Sequence, residues 1–320
     1  MRVGIVGCSI NGAYLAYRLA KDGHDVTVFE AKNEVGGKPC SGLVSERLWD
    51  FVPRNDALVE NEIDTVELRF PKKRSTVFFN RNMLALNRGG LDKYAAKLAE
   101  EAGAKIKTGH RAVKIISLGR SRPHLVAENG GRTVAQEFDR IIGCDGANSV
   151  VRKYARAKTP SFRIGLYAVL KRRSKKNSVE VSPTENGFKW KIPRGETTEV
   201  GALERPERVK KIFRRAKTEV FSAIIPEGLS LSKDKRFMLC GDAAGLTKPW
   251  SGGGIIWGMT AADLLADSKL DTARYNRRLE RHFGPKIFFS KLARKAVYFA
   301  GKHAPFLIPK RAHMDSDWLY

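Results

Sequence analysis

The sequence predicts an α/β fold: a dinucleotide-binding unit, an antiparallel-sheet unit inserted into it, and a helical C-terminal region. Three observations predict it. The first thirty residues read as strand, glycine turn, helix and strand. Two later strands, one running into Cys144-Asp145-Gly146 and one into Cys240-Gly241-Asp242, each stop in a turn that pairs glycine with aspartate. Between these, apolar and polar residues alternate with the period of two that marks half-buried strands.

Taken in order, Arg2 to Val6 reads as a buried strand, Asn11 to Lys21 as a helix and Asp25 to Glu30 as a second strand, a β-α-β unit. A glycine-rich loop follows from Val35 to Gly42. Thr65 to Phe70 and Ser75 to Asn80 alternate as antiparallel strands, and Leu91 to Ala102 is an amphipathic helix stopped by Gly103. Strands are expected near Lys105, over Ala112 to Ser117 and over Phe138 to Cys144. Residues 160–204 again read as antiparallel strands, and Pro206 to Phe221 as a basic helix. Phe237 to Cys240 is a short strand, Ile255 to Ala266 a helix, and the chain from Thr272 is helical and basic. The pattern predicts a discontinuous nucleotide domain at 1–43, 86–158 and 235–270. It places a substrate domain at 44–85 and 159–234 and a basic helical region at 271–320.

Composition narrows the function classes. The 320 residues are 42% hydrophobic, enough for a packed core rather than a disordered chain. Lys and Arg number 59 against 34 acids, a formal charge of +25, which calls for an anionic partner: a membrane surface, a nucleic acid or an acidic protein. The four cysteines, Cys8, Cys40, Cys144 and Cys240, are widely spaced, which argues against a disulfide framework or structural zinc and for a reduced, cytoplasmic setting. The six histidines have no metal-ligand spacing, so no metal is expected. A strand pattern starting at Arg2 leaves no signal peptide, and no apolar run approaches the ~18 residues of a membrane span, so membrane contact would be peripheral.

The first turn, Gly7-Cys8-Ser9-Ile10-Asn11-Gly12, is a Gly-x-Gly-x-x-Gly fingerprint with Ser9 in the second glycine position. Such a turn lets backbone N–H groups at a helix N-terminus face a pyrophosphate. Gly7 makes the turn and Gly12 lets helix and strand approach. Glu30, at the end of the second strand, is placed to accept from ribose hydroxyls. Read more plainly, the same residues are a strand-to-helix turn and a surface acid. The second motif is Ile141-Ile142-Gly143-Cys144-Asp145-Gly146. The third runs from Leu239-Cys240-Gly241-Asp242 to Pro249-Trp250-Ser251-Gly252-Gly253-Gly254-Ile255.

These three motifs, in this order, resemble the FAD oxidoreductases of the para-hydroxybenzoate hydroxylase type. Within them the chain resembles the geranylgeranyl reductase family, including its archaeal digeranylgeranylglycerophospholipid reductases, over roughly residues 1–270. Lys38-Pro39-Cys40-Ser41-Gly42-Leu43 is similar to that family's cysteine-containing loop. Phe188-Lys189-Trp190-Lys191-Ile192-Pro193, followed by Gly201, is similar to its Tyr-x-Trp-x-Phe-Pro…Gly-x-Gly substrate segment, with Phe for Tyr, Ile for Phe and Leu203 for the second glycine.

The resemblance implies a Rossmann-like FAD-binding domain. Gly7, Ser9, Asn11 and Gly12 would hold the pyrophosphate with Arg88, and Glu30 the adenosine ribose. Ala112 would contact adenine, with Asp145 and Asp242 on the cofactor and Asp242 accepting from a ribityl hydroxyl. Cys40, Ser41 and Gly42 would lie along the flavin, and Gly252, Gly253, Gly254 and Ile255 would face its pyrimidine. Phe188, Trp190, Pro193 and Trp250 would line a lipid channel. No catalytic acid stands out; Cys40 is a candidate, against the alternative of an inert packed thiol.

The implied activity is reduction of isoprenoid C=C bonds in membrane lipids by hydride from reduced flavin, with electrons from ferredoxin or NAD(P)H. Two rivals stand beside it: an FAD monooxygenase using NADPH and oxygen, and a non-catalytic flavin-containing nucleic-acid or membrane-binding protein. The spread of charge and the lack of a nucleic-acid module argue against nucleic acid. From Arg278 to Arg311, basic residues interleave with Phe288, Phe289, Leu292 and Phe299. That pattern suits a helix lying on an anionic membrane at its inner face, or one packing its apolar side on the domain.

Overall fold

In the computed structural model, which describes residues 1–117, 119, 121–174, 176–213 and 218–317, the chain opens with β1 (Arg2–Val6), α1 (Ile10–Lys21) and β2 (Asp25–Phe29). Four of the five residues of β1 and of β2 are buried, as in parallel strands covered on both faces. On α1, Ile10, Ala13, Tyr14 and Leu15 face inward with Leu19, while Arg18 and Lys21 sit in the last turn, where cations suit the helix dipole.

The short β3 (Leu43–Ser45) leads to a long hairpin, β4 (Val59–Phe70) and β5 (Lys73–Leu86). Next comes α2 (Arg88–Glu101), capped by Asn87, whose side chain accepts from the Gly90 N–H. β6 (Lys105–Lys107) is followed by β7 (Arg111–Ile116), β8 (His124–Asn129) and β9 (Arg132–Glu137), then β10 (Arg140–Gly143) and α3 (Val150–Tyr154). The second half holds β11 (Ser161–Leu170), β12 (Ser178–Pro183), β13 (Phe188–Arg194), β14 (Thr197–Glu204), α4 (Pro206–Phe213) and β15 (Phe221–Glu227). The last elements are β16 (Phe237–Leu239), α5 (Ile255–Ala266), α6 (Thr272–His303) and β17 (Arg311–Met314).

Three sheets organise the described residues. The first is parallel, in the order β16-β10-β1-β2-β6, and brings strands from both halves of the chain side by side. The second is large, β15-β11-β14-β13-β12-β4-β5-β17, with β3 also on β5; the third is β7-β8-β9. One continuous core holds the first sheet with α1, α2, α5 and the inner face of α6. This is the Rossmann-like sheet with a second, largely antiparallel sheet that the sequence predicts.

Several boundaries differ from the sequence expectation, each for a physical reason. The helix expected over Leu91 to Ala102 takes in Arg88 as well. Arg88 is the first helical residue and is buried, because Asn87 caps one turn earlier than the apolar pattern begins. The basic helix expected over Pro206 to Phe221 is described over Pro206–Phe213 and does not reach Phe221, which begins β15, held by seven paired positions on β11; residues 214–217 lie outside the described residues. The C-terminal region is not wholly helical. β17 adds in parallel to β5, with Met314 opposite Phe79, satisfying an edge; Arg311-Ala312-His313-Met314 does alternate, but over four residues only, too short a run to announce a strand.

A buried ion cluster fastens that C-terminal strap. Asp317 accepts from Ser45, pairs with Lys248 and lies 3.3 Å from the Arg47 guanidinium; Asp317 is 1% exposed. Burial pushes its carboxyl pKa upward, but Lys248, Ser45 and Arg47 outweigh that and hold it below its ordinary 3.8. The stability it contributes is therefore complete above pH 3.8 and is lost as pH falls through the depressed native value. Asp317→Asn should cost about 3 kcal/mol at pH 7, as breaking a buried pair does. It should also flatten the acid limb of an unfolding-versus-pH profile; an unchanged limb would refute the assignment.

Candidate active site

The glycine turn after β1 is sterically locked. Gly7 has φ +96°, and a Cβ there would lie 2.6 Å from the Cys144 carbonyl oxygen. A Cβ on Gly12 would lie 2.0 Å from the Gly7 carbonyl oxygen, so helix and turn touch as backbone. Ser9 stands at the start of α1, and the Arg88 Nη2 donates to its Oγ at 3.1 Å. Arg88 in turn pairs with the fully buried Asp92, and its Nε has no hydrogen-bond partner among the described residues.

Glu30 turns back onto the same loop. One carboxylate oxygen accepts from the Cys8 N–H at 2.9 Å and the other from the Lys32 N–H at 3.0 Å. The His110 N–H donates to the Glu30 carbonyl at 2.8 Å, which brings β7, and with it the buried Ala112, to the end of β2. Asp145 caps α3: its Oδ2 accepts from the Val150 and Val151 N–H groups at 2.7 and 3.4 Å, while Oδ1 is buried without a partner among the described residues. Burial raises its carboxyl pKa.

The third motif meets the first through Asn11. Its side chain donates to the Gly254 carbonyl at 3.4 Å, and the space beside it exists because residues 241 and 258 are glycine. Asp242 forms an ion pair with Lys38 at 2.7 Å, closing the Cys40 loop over the motif. Gly254 is the residue before α5 and no side chain caps the helix, so the N–H groups of its first turn point out of the helix end toward Asn11 and the cavity. Cys40, half-buried, accepts weakly from the Gly42 N–H at 3.5 Å. The other three thiols belong to the core. Burial pushes Cys8 up, and a hydrogen bond with Cys240 together with burial does the same to Cys144.

From this cradle a cavity of about 460 Å³ opens between the large sheet and α6. Ser9, Asn11, Cys40, Ser41, Gly252 and Ile255 line one end. The walls are apolar: Val66, Leu68, Phe70, Val179, Val181, Phe188, Trp190 and Trp250. Phe188 and Trp190 are two apart in β13 and share its inward face. Pro193, expected with them, does not line the cavity. Period-two alternation turns it to the other face and Ile192 takes the inward place.

Residues that sequence reasoning missed hold this wall in place. Glu199, 1% exposed, accepts from the Trp190 Nε1 at 2.7 Å and from the Arg194 Nη2 at 3.0 Å. Arg194 also donates to the carbonyls of Ser41 and, at 3.2 Å, Leu86. Thus one buried carboxylate ties a cavity-wall indole to the Cys40–Ser41 loop. Burial raises the Glu199 carboxyl pKa, against the pull of Arg194 and Trp190. An acid two residues from Gly201, on the inward face of an alternating strand, was the available signal. At Gly201 itself a Cβ would fall 2.2 Å from the Trp190 ring, so the indole lies flat across that glycine.

A cradle that only backbone can fill, with buried polar atoms of Asn11, Arg88 and Asp145 left unpartnered, opening onto an apolar chamber, fits a dinucleotide whose reactive end faces a greasy substrate. The comparisons agree with the class: the chain has the fold of FAD-dependent oxidoreductases. A family model described as an NAD(P)-binding Rossmann-like domain matches residues 5–42. Within that class the chain is similar over most of its length to a digeranylgeranylglycerophospholipid reductase of Methanothrix thermoacetophila, 25% identical over 91% of this chain and 88% of the relative. A solved geranylgeranyl bacteriochlorophyll reductase-like protein from Thermoplasma acidophilum superposes with a TM-score of 0.79 at 18% identity, covering 92% of this chain and 86% of its own. A kynurenine 3-monooxygenase of Christiangramia forsetii is 32% identical, but over 47% of this chain and 36% of its own.

Proposed function

We propose that the chain is an FAD-dependent reductase that saturates isoprenoid C=C bonds of geranylgeranyl-type membrane lipids. The observation that carries this is the continuity of the glycine cradle with an apolar chamber of about 460 Å³. The similarity to lipid reductases over most of the chain supports it.

When bound, FAD supplies the hydride. The chain's own residues bind, orient and exclude water. Gly7, Ser9, Asn11, Gly12 and Arg88 hold the pyrophosphate. Glu30 holds the ribose and Ala112 borders the adenine. Asp145 and Asp242 complete the cradle, with Lys38 paired to Asp242. Cys40, Ser41 and Gly42 flank the ring. Gly252 and Gly253 give their N–H groups to the Lys248 carbonyl and the Ser251 hydroxyl and let the loop pass close to the ring, while the uncapped start of α5 at Gly254 and Ile255 presents N–H groups and the positive end of a helix dipole, which stabilise negative charge beside them. Phe188, Trp190 and Trp250 enclose the prenyl chain in a dry pocket, which an unactivated alkene needs for close positioning. Electrons come from ferredoxin or NAD(P)H, which parallel anaerobic turnovers with each donor would distinguish.

The test is anaerobic. The bound flavin is reduced, then mixed with a geranylgeranyl lipid; reoxidation with formation of saturated product is expected, and neither occurring sinks the reading. The monooxygenase similarity favours a second reading. Lipid-independent hydroxylation of an aromatic substrate with NADPH and oxygen would select it.

Membrane contact belongs to the proposal. Among the described residues no helix is long and apolar enough to cross a membrane. The outer face of α6 and the turn after it nevertheless expose Phe288, Leu292, Phe299 (66%), Phe306 (80%) and Leu307, with Lys295 and Lys302 among them. The inner face of the same helix, through Ala293 and Val297, lines the cavity. Salt-sensitive pelleting with anionic vesicles is expected, weakened about tenfold by Phe299→Asp with Phe306→Asp. Equal pelleting of the variant would refute it.

A further inference from the structure

The cavity has a floor that can be followed strand by strand. Leu203 lies against residue 252 of the cofactor-side loop: a Cβ built on Gly252 would stand 3.0 Å from its side chain. Leu203 pairs with Phe188, and Phe188 with Pro183. Two positions beyond the Val181–Leu68 pair, the same row reaches Phe70. All four side chains line the cavity. The row spans three inter-strand spacings of ~4.8 Å, about 14 Å. It ends there, because the next partner across the sheet is Lys73, at the hairpin tip.

Phe70 is 7% exposed and is pressed against α6 at Gly301, which is also buried. A Cβ on Gly301 would lie 2.0 Å from the Phe70 ring, so the helix carries a notch into which this ring fits. No hydrogen bond or ion pair is needed to explain the contact. It is shape alone, at the end of an apolar row that starts beside the cofactor loop.

We infer that Phe70, seated in the Gly301 notch, is the end stop of the cavity and sets the length of the isoprenoid chain the site accepts. This rests on the reductase reading above. A chain whose reacting bond is held at the Gly252 end must fit its tail short of the Phe70 ring. A side chain added at residue 301 displaces the ring toward the cavity that it lines and shortens the floor. Removing the ring lengthens it.

The two variants are therefore expected to act in opposite directions. Purified, flavin-loaded Phe70→Ala should raise kcat/KM for a geranylfarnesyl lipid relative to a geranylgeranyl one by about tenfold, a modest figure for one isoprene unit in an apolar pocket. Gly301→Ala should lower the geranylgeranyl rate relative to a farnesyl lipid by a similar factor. Phe70→Leu should fall between Phe70→Ala and the parent. Binding is read independently of turnover, through quenching of tryptophan fluorescence by the fully saturated lipids of the three lengths, with thermal melting as the check on folding. Opposite shifts of length preference in binding support the end stop, even if no lipid is reduced; that outcome would defeat the reductase reading alone. Equal losses for all lengths, or unchanged ratios in folded variants, overturn the end stop whatever the turnover shows.

Discussion

Gly12→Val is expected to give a folded protein that purifies without flavin and binds added FAD at least 100-fold more weakly, about 2.7 kcal/mol. The first atom of any side chain at residue 12 would stand 2.0 Å from the Gly7 carbonyl oxygen, so the turn or α1 must move. The turn's backbone N–H groups then no longer converge on the pyrophosphate position. β1 and β2 are paired along five residues each by backbone hydrogen bonds that the turn does not supply, and should survive. Flavin fluorescence titration measures the first effect, and far-ultraviolet circular dichroism with thermal melting the second. Parent-like affinity in Gly12→Val would mean that this turn does not hold the cofactor.

Glu199→Ala should destabilise the fold by about 3–5 kcal/mol, the usual result of removing one member of a buried charged pair. It strands the Arg194 guanidinium, 9% exposed, and the Trp190 Nε1 in the interior. Arg194 keeps Glu60 and two backbone carbonyls, which sets the lower end of that range. Glu199→Gln keeps one acceptor but must turn an N–H toward one of the two donors, so a loss of about 1–2 kcal/mol is expected. Because Glu199 ties Trp190 to the Ser41 loop, the surviving Gln variant should lose lipid affinity, seen as a raised KM, before it loses flavin. Denaturant midpoints and flavin titration separate the two. A change below ~1 kcal/mol for Glu199→Ala would show that the carboxylate is not the anchor.

How far the sequence could carry the fold depended on whether the signal was local. β1, α1 and β2 were legible because burial on both faces of a strand and one face of a helix leaves a periodic trace in consecutive residues. The membership of β16 in the same sheet was legible because Gly241-Asp242 repeats the logic of an earlier turn. β17 was not: its alternation covers only four residues, and they become a strand because β5 offers an open edge. Nor was the hairpin of β8 and β9 expected, although Asn129-Gly130-Gly131, with φ of 55° and 80° at its glycines, is a strong turn signal.

The site divides in the same way. Residues of the glycine turns could be named from motif spacing, and the structure brings Ser9, Asn11, Arg88, Asp242 and Gly254 together from four segments. Pro193 does not join them, because strand parity puts it on the face of β13 opposite Trp190. Arg194 and Lys38 have no sequence signature, because in so basic a chain, with 59 lysines and arginines, a single ion pair leaves none; Glu199 leaves only that of an acid on the inward face of an alternating strand. Their partners lie up to about 200 residues away, as Lys38 and Asp242 show, and only folding makes them neighbours.

The most direct measurement is the absorption spectrum of the purified full chain, followed by titration of stripped protein with FAD. One FAD per chain is expected, with the near-ultraviolet and blue bands of an oxidised flavin, bleached on anaerobic reduction and restored by a geranylgeranyl lipid. Material that is colourless as isolated and takes up no FAD on reconstitution would contradict the account at its root.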